Sequence, residues 1–224
     1  MSVLRAILIA FSLIPAVAFA QSTATVLGDL QASSSRIAAI DPTIDSVERF
    51  EKDTAVRATA IQVAVSQLVG RWSTAGQPEL PNDYLDALRA DSKIIDSSAS
   101  VADHAARAAI LADVRDDLLI KAAYASRGLG ATTTFDTGID VTVIVSRKGA
   151  PVNGLLVRCN PRRHADLQHP LFVFNAPSSP TMRRLPPGNY SIVVQKPDGG
   201  VVGRQDAQIG VDNKPVAQVT VVLQ

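Results

Sequence analysis

The sequence predicts a two-part α+β protein: an antiparallel bundle of three or four helices, then a seven-stranded antiparallel β-sandwich. Three observations predict it. Residues 23–127 are rich in alanine and hold prolines only at 42, 78 and 81, and alanine is the best helix former while glycine and proline are the worst. From residue 129 onward nine of the thirteen prolines appear, and valine and threonine fill the runs between them. Apolar spacing changes at the same place, from threes and fours to alternation. The chain therefore reads as a helical unit over 21–128, a linker over 129–137 and a β unit over 138–224.

Before the helical unit comes an address. Arg5 supplies one positive charge, residues 6–14 are apolar except Ser12, and Ala18, Phe19 and Ala20 form an A-x-A cleavage site ahead of Gln21. This predicts a secretory signal peptide over 1–20, cut after Ala20, and a mature protein in the periplasm or the medium. An uncleaved anchor is the alternative, but the apolar run is short against the roughly 20 residues that span a bilayer. No later stretch approaches a transmembrane helix, and no cysteine near the cut offers a lipid attachment point.

The first helix should run over 23–40, with Val26, Leu27, Leu30, Ile37 and Ile40 on its apolar side. Asp41 is a good cap and Pro42 suits a first helical position, so a second helix should begin there and reach Arg71. Ile44, Val47, Ala58, Ile61, Val65 and Leu68 recur at three and four along it, with Glu48–Lys52 and Asp53–Arg57 as acid-then-base pairs on the outside. Residues 72–81 read as a loop. Asn82 is placed to cap a third helix carrying Tyr84, Leu85, Leu88 and Ile95 inward, and Ser100 with Asp103 to cap a fourth over 101–127. The competing arrangement merges these pieces into one long two-arm hairpin; the Asp41-Pro42 break favours the bundle.

In the β unit, residues 139–146 alternate as a half-buried strand should. Lys148, Gly149, Ala150 and Pro151 make a turn. A second strand follows over 155–159, with Leu155, Val157 and Cys159 on one face, and a third over 171–174. After the Leu185-Pro186-Pro187-Gly188-Asn189 turn come strands over 190–195, 201–204, 208–211 and 216–223. The succession V-x-V-x-V, G-A-P-V-x-G, L-P-P-G-N-Y-S-I-V-V and a final V-x-V-x-L resembles the carboxypeptidase regulatory-like, or transthyretin-like, β-sandwich over residues 139–223. The resemblance implies a non-catalytic binding or anchoring module and an inward-packed Tyr190. The helical half resembles no family. Transthyretin-like hydrolases end in Tyr-Arg-Gly-Ser, whereas this chain ends Val221-Val222-Leu223-Gln224; related ring-cleaving dioxygenases need two tyrosines and two histidines on iron, whereas this half has Tyr190 alone.

Composition narrows the chemistry. A net charge of +1 excludes a protein governed by attraction to nucleic acid, and 4% aromatics leaves few stacking platforms. One cysteine, Cys159, rules out an internal disulfide framework. The small total charge hides a division: residues 21–128 carry 11 Lys/Arg against 15 Asp/Glu, and residues 129–224 carry 10 against 6. Attraction between the halves, or between copies, is one reading; drift in surface composition is preferred, because separated surface charges are screened within about 10 Å at 0.1 M salt.

Two groups of side chains remain as site candidates. Arg158, Arg162, Arg163, Arg183 and Arg184 would form a basic patch if they shared one end of the sandwich, suited to phosphate, carboxylate or an acidic protein face, this chain's own helical half included. His164, Asp166 and His169, with Cys159, are the weaker, metal-ligand candidates, but their spacing matches no compact ligand pattern. No phosphate loop, nucleophile elbow or H-E-x-x-H occurs, and no cofactor is expected. His104 reads as a solvated surface residue. The resulting expectation is an exported, non-enzymatic interaction or structural protein of the bacterial cell envelope. Its partner would be a protein or an anionic envelope component, with a homo-oligomer open. The alternative is a small metal-dependent or transthyretin-like hydrolase with its site in the 159–169 loop.

Overall fold

The computed structural model describes residues 22–40, 49–125, 138–174, 179–210 and 216–224; for 49–53 and 216 it describes the backbone alone. The expected signal peptide, the Asp41-Pro42 break, Ile44, Val47, the side chains of Glu48, Lys52 and Asp53, and the expected linker fall outside what is described. Four helices precede two β-sheets, so the fold class is α+β.

The helices are α1 (Thr23–Ile40), α2 (Arg49–Thr74), α3 (Asn82–Ser98) and α4 (His104–Ala125). Their apolar faces follow the spacing: Val26, Leu27, Leu30 and Ile37 of α1, Ala58, Ile61, Val65 and Leu68 of α2, Tyr84, Leu85, Leu88 and Ile95 of α3, and Leu111, Val114 and Leu118 of α4 are all buried. Ile40, expected inward, is exposed at the end of α1. α1 lies against α2 and α3, and α4 lies against the same two. A merged two-arm hairpin would instead set α1 along α4 and α2 along α3, so the four helices form a bundle.

Helix ends differ from expectation at three places. α2 continues through Trp72 to Thr74, because the Trp72 indole N–H donates to the carbonyl of Pro78 at 2.9 Å and folds the following turn back onto the helix. Asn82 does not cap α3: Pro81 occupies the cap position and no side chain bonds there. α4 is capped by Asp103, whose carboxylate accepts from the amides of Ala105 (2.9 Å) and Ala106 (3.2 Å), while the Ser100 hydroxyl turns back to the Ser97 carbonyl.

The β half contains β1 (Ile139–Arg147), β2 (Ala150–Pro151), β3 (Leu156–Pro161), β4 (Phe172–Val173), β5 (Thr181–Leu185), β6 (Gly188–Gln195), β7 (Val201–Ile209) and β8 (Val216–Leu223), one more than the seven expected. One sheet has β1 at its centre, with β8 on one side and β5 and β2 on the other; the second runs β4-β3-β6-β7. Lys148 and Gly149 both take positive φ and close the β1–β2 hairpin in two residues.

Three sequence expectations are corrected. The pairing is not antiparallel throughout, since β8 runs parallel to β1 from Asp140↔Val216 to Arg147↔Leu223. A parallel neighbour needs a long crossover, and here the whole second sheet lies between the two strands in sequence. β5 is a strand that the sequence does not place, because Met182 and Arg184 point to solvent and only Thr181 and Leu185 are fully buried. β7 is continuous where two short strands were expected, because it is exposed along most of its length and its polar residues hide the period.

β1 buries every second residue from Ile139 to Val145, whereas β6 is buried on both faces from Tyr190 to Val194. The Tyr190 hydroxyl donates to the Pro186 carbonyl at 2.7 Å, tying the strand to the turn that feeds it. Gly188 opens β6 where α4 docks: a Cβ there would lie 2.8 Å from Cδ1 of Ile120, so a side chain would force the Ile120 side chain to move. One continuous apolar core therefore runs from the bundle into the sheets.

Candidate functional site

The seam between the halves gathers charge that the sequence scatters over 80 residues. On α3, Asp83, Ala87 and Asp91 are spaced by four; on α4, Asp113, Asp117 and Lys121 repeat that spacing. Each set forms one stripe along its helix. The loop after β3 brings the complementary groups. Asn160, fully buried, pins that loop: its Nδ2 donates to the carbonyls of Ala165 (3.1 Å) and Leu167 (3.4 Å), and its Oδ1 accepts from the amide of Leu171 (2.9 Å). A 3-10 turn at Arg162–His164 then presents two arginines and a histidine to the helices.

At the centre, the Lys121 ammonium contacts Asp91 Oδ2, both side chains fully buried. The Tyr84 hydroxyl donates to the Lys121 carbonyl at 2.7 Å and holds that turn of α4 against α3. His164 Nε2 lies 3.2 Å from Asp91 Oδ1 and 3.7 Å from Asp117 Oδ2. Arg163 donates to Asp113 Oδ2 at 2.9 Å and sits 3.6 Å from Asp117 Oδ2; Arg162, half exposed, reaches Asp113 Oδ1 at 3.6 Å. At the rim, Asp83 accepts from the amide of His169 (2.9 Å) and meets its Nδ1 (3.0 Å).

The two central carboxyls diverge. Burial alone would raise Asp91, but Lys121 and His164 together outweigh it and hold the group below the usual carboxylate range. Asp117 is pushed up to about 7 by burial, which Lys121 and Arg163 oppose and Asp91 and Asp113 reinforce. Its Oδ2 accepts no hydrogen bond. Burial also pushes the Cys159 thiol up, away from the range in which it is nucleophilic.

Beside this cluster α3 and residues 163–168 enclose a cleft of about 430 Å³ walled by Asp83, Asp86, Arg163, His164 and Asp166. The donor atoms of Asp91, Asp117 and His164 lie within 4.8 Å of one another, the one grouping of metal-ligand types among the described residues.

The candidates taken from the sequence separate. The five arginines do not form one patch. Arg162 and Arg163 meet α4. Arg183 donates to the Val173 carbonyl and lies 5.7 Å from the Phe172 ring centroid, and Arg184 Nε donates to the Gly138 carbonyl at 3.0 Å. Arg158 is on β3, where burial and then Arg204 lower its pKa and Asp166 opposes them. His164, Asp166 and His169 likewise diverge, to Asp91 and Asp117, to Arg204, and to Asp83. His104 is partly buried at the start of α4, where its carbonyl accepts from the Thr54 hydroxyl at 3.3 Å, not a solvated surface group. The preference for surface drift also gives way, since acids of α3 and α4 face bases of the β half across the seam. Asp91, Asp117 and Lys121 were not singled out, yet they carry a signal. Asp91 falls three residues after Leu88 and four before Ile95, and Lys121 three after Leu118, so ionisable groups interrupt apolar faces.

No protein-family model, curated protein or solved structure matches this chain.

Proposed function

We propose that the chain is an exported, non-enzymatic interaction or structural protein of the bacterial cell envelope. The two sheets are read as a sandwich of the carboxypeptidase regulatory-like kind that binds or anchors, and the helical bundle as the docking or spacer element. The observation that carries this reading is the fate of the reactive side chains. His164 and His169 contact carboxylates and Arg163 is ion-paired, all three across the seam, Asp166 is ion-paired with Arg204, and Cys159 is buried with its thiol suppressed. The 159–169 loop thus fastens one half to the other, which supports a structural role for it over the small metal-dependent or transthyretin-like hydrolase. Arg184 remains exposed on β5 and suits a phosphate or carboxylate of an envelope partner.

Fractionation of cells making the full 224-residue chain tests this. The reading expects protein beginning at Gln21 in the periplasm or medium, sedimenting with an envelope component or as an oligomer. Unprocessed monomer in the cytoplasm, or turnover of a small substrate by the purified protein, would overturn it.

A further inference from the structure

We propose that Asp91, Asp117 and His164 form a binding site for one divalent cation of the zinc class, which locks the β half onto the helical bundle. The ligands come from three separate elements: α3, α4 and the turn after β3. Any ion they share joins the halves directly.

Geometry supports this first. Metal–donor bonds of about 2.0–2.1 Å in a tetrahedron set donors about 3.3 Å apart. His164 Nε2 stands 3.2 Å from Asp91 Oδ1 and 3.7 Å from Asp117 Oδ2, on either side of that value, and all three donors lie within 4.8 Å of one another, so an ion enters by drawing the two carboxylates toward it. Lys121 does not compete for the same atom, because it engages the other oxygen of Asp91. A cation on the remote oxygen of a ligand carboxylate orients that carboxylate, as outer partners of metal ligands do.

The second observation is independent of those distances. Asp117 has only 2% of its side chain exposed, yet Oδ2, the atom that completes the triad, has no hydrogen-bond partner. A buried acceptor without a hydrogen bond is costly; the nearest cation to this one, Arg163 Nε, stands back at 3.6 Å, and the atom faces two other donor atoms. Three acids, Asp91, Asp113 and Asp117, meet Lys121, Arg163 and the half-exposed Arg162 at the seam, and Arg162 reaches Asp113 only.

The donor set indicates the kind of ion. One imidazole nitrogen with two carboxylates favours zinc, cobalt or manganese over magnesium. Three protein donors are too few for calcium, which takes six to eight oxygens. His164 also borders the 430 Å³ cleft, which gives the ion a path in and a water as fourth ligand.

The test uses the full chain, stripped with chelator and titrated with Co²⁺. The proposal expects uptake of one equivalent with the visible absorption of a four-coordinate site, displacement by Zn²⁺, and shifted imidazole nitrogen resonances for His164 but not His104 or His169. Zn²⁺ at 100 times its Kd should raise the unfolding midpoint by about 5–10 °C. Asp117→Asn and His164→Gln should each weaken uptake by roughly 100-fold or more, beyond what outer partners alone contribute. His169→Ala should leave it unchanged. Absence of saturable uptake by the unmodified chain overturns the proposal and leaves a proton on Asp117 as the balancing charge. So does uptake that shifts His169 instead of His164. If the Asp117 and His164 variants fail to fold, the histidine resonances of the unmodified protein still decide.

Discussion

Among the described residues, the buried polar side chains of the β half are Asn160, Thr181 and Ser191; in the helical half they include Asp91, Arg107, Asp117 and Lys121. The difference follows from how each half is covered. Each sheet satisfies its backbone through its ladders and meets the core with Val141, Val143, Val157, Ile192 and Val221, and among the described residues no charged side chain of the sheets is fully buried. α3 and α4 meet one another inside the bundle but also carry a stripe covered only when the β half arrives. Asp91 and Lys121 pair between the two helices, and the stripe's remaining partners, Arg163 and His164, belong to the other half. The charge buried along α3 and α4 at the seam therefore marks a docking line, and it specifies orientation more than it adds stability.

The largest expected effect tests that contrast directly. Lys121→Met in chelator-treated protein leaves Asp91 buried without its ammonium and should lower unfolding free energy by about 3–5 kcal/mol, read by urea denaturation. The double change Asp91→Leu with Lys121→Met should recover most of the loss, since replacing a whole buried pair by apolar groups is commonly neutral. If the double variant stays as weak as the single one, pairing is not what the two charges contribute. Ile192→Ala in the apolar core should cost about 2–5 kcal/mol through the cavity alone, with no dependence on salt. Arg163→Ala, at the partly exposed margin of the seam, should cost about 1 kcal/mol, and less in high salt; equal loss at low and high salt would count against an electrostatic seam.

The smallest effect concerns acid. Desolvation raises the Asp83 carboxyl, but the hydrogen bonds and charge of His169 prevail and hold it below its ordinary value. Its contribution is present above the unfolded carboxyl's range near 4 and is lost as pH falls through the lower folded value. Asp83→Asn should therefore narrow the gap between variant and parent as pH falls below 4; a gap constant with pH breaks the assignment.

Much of the fold was legible because burial in each element follows one period. Leu88 and Ile95, or Val141 and Val143, point inward for reasons local to their own segment. β5 was not legible because Met182 and Arg184 answer to solvent, and its place beside β1 depends on a chain reversal elsewhere. The site was half legible: the loop with His164 was flagged, its partners were not. Asp91 and Lys121 lie 30 residues apart on two helices, and nothing local to either reveals that each neutralises the other.

Cys159 faces Ile192 across the β3–β6 ladder with no exposed surface. A reagent that alkylates thiols can reach it only when the second sheet comes apart, because no other cysteine in the chain competes for the label. The molecule thus contains its own stopwatch: the rate at which the native protein gains one adduct times how often that sheet opens, with no mutation needed to install the reporter.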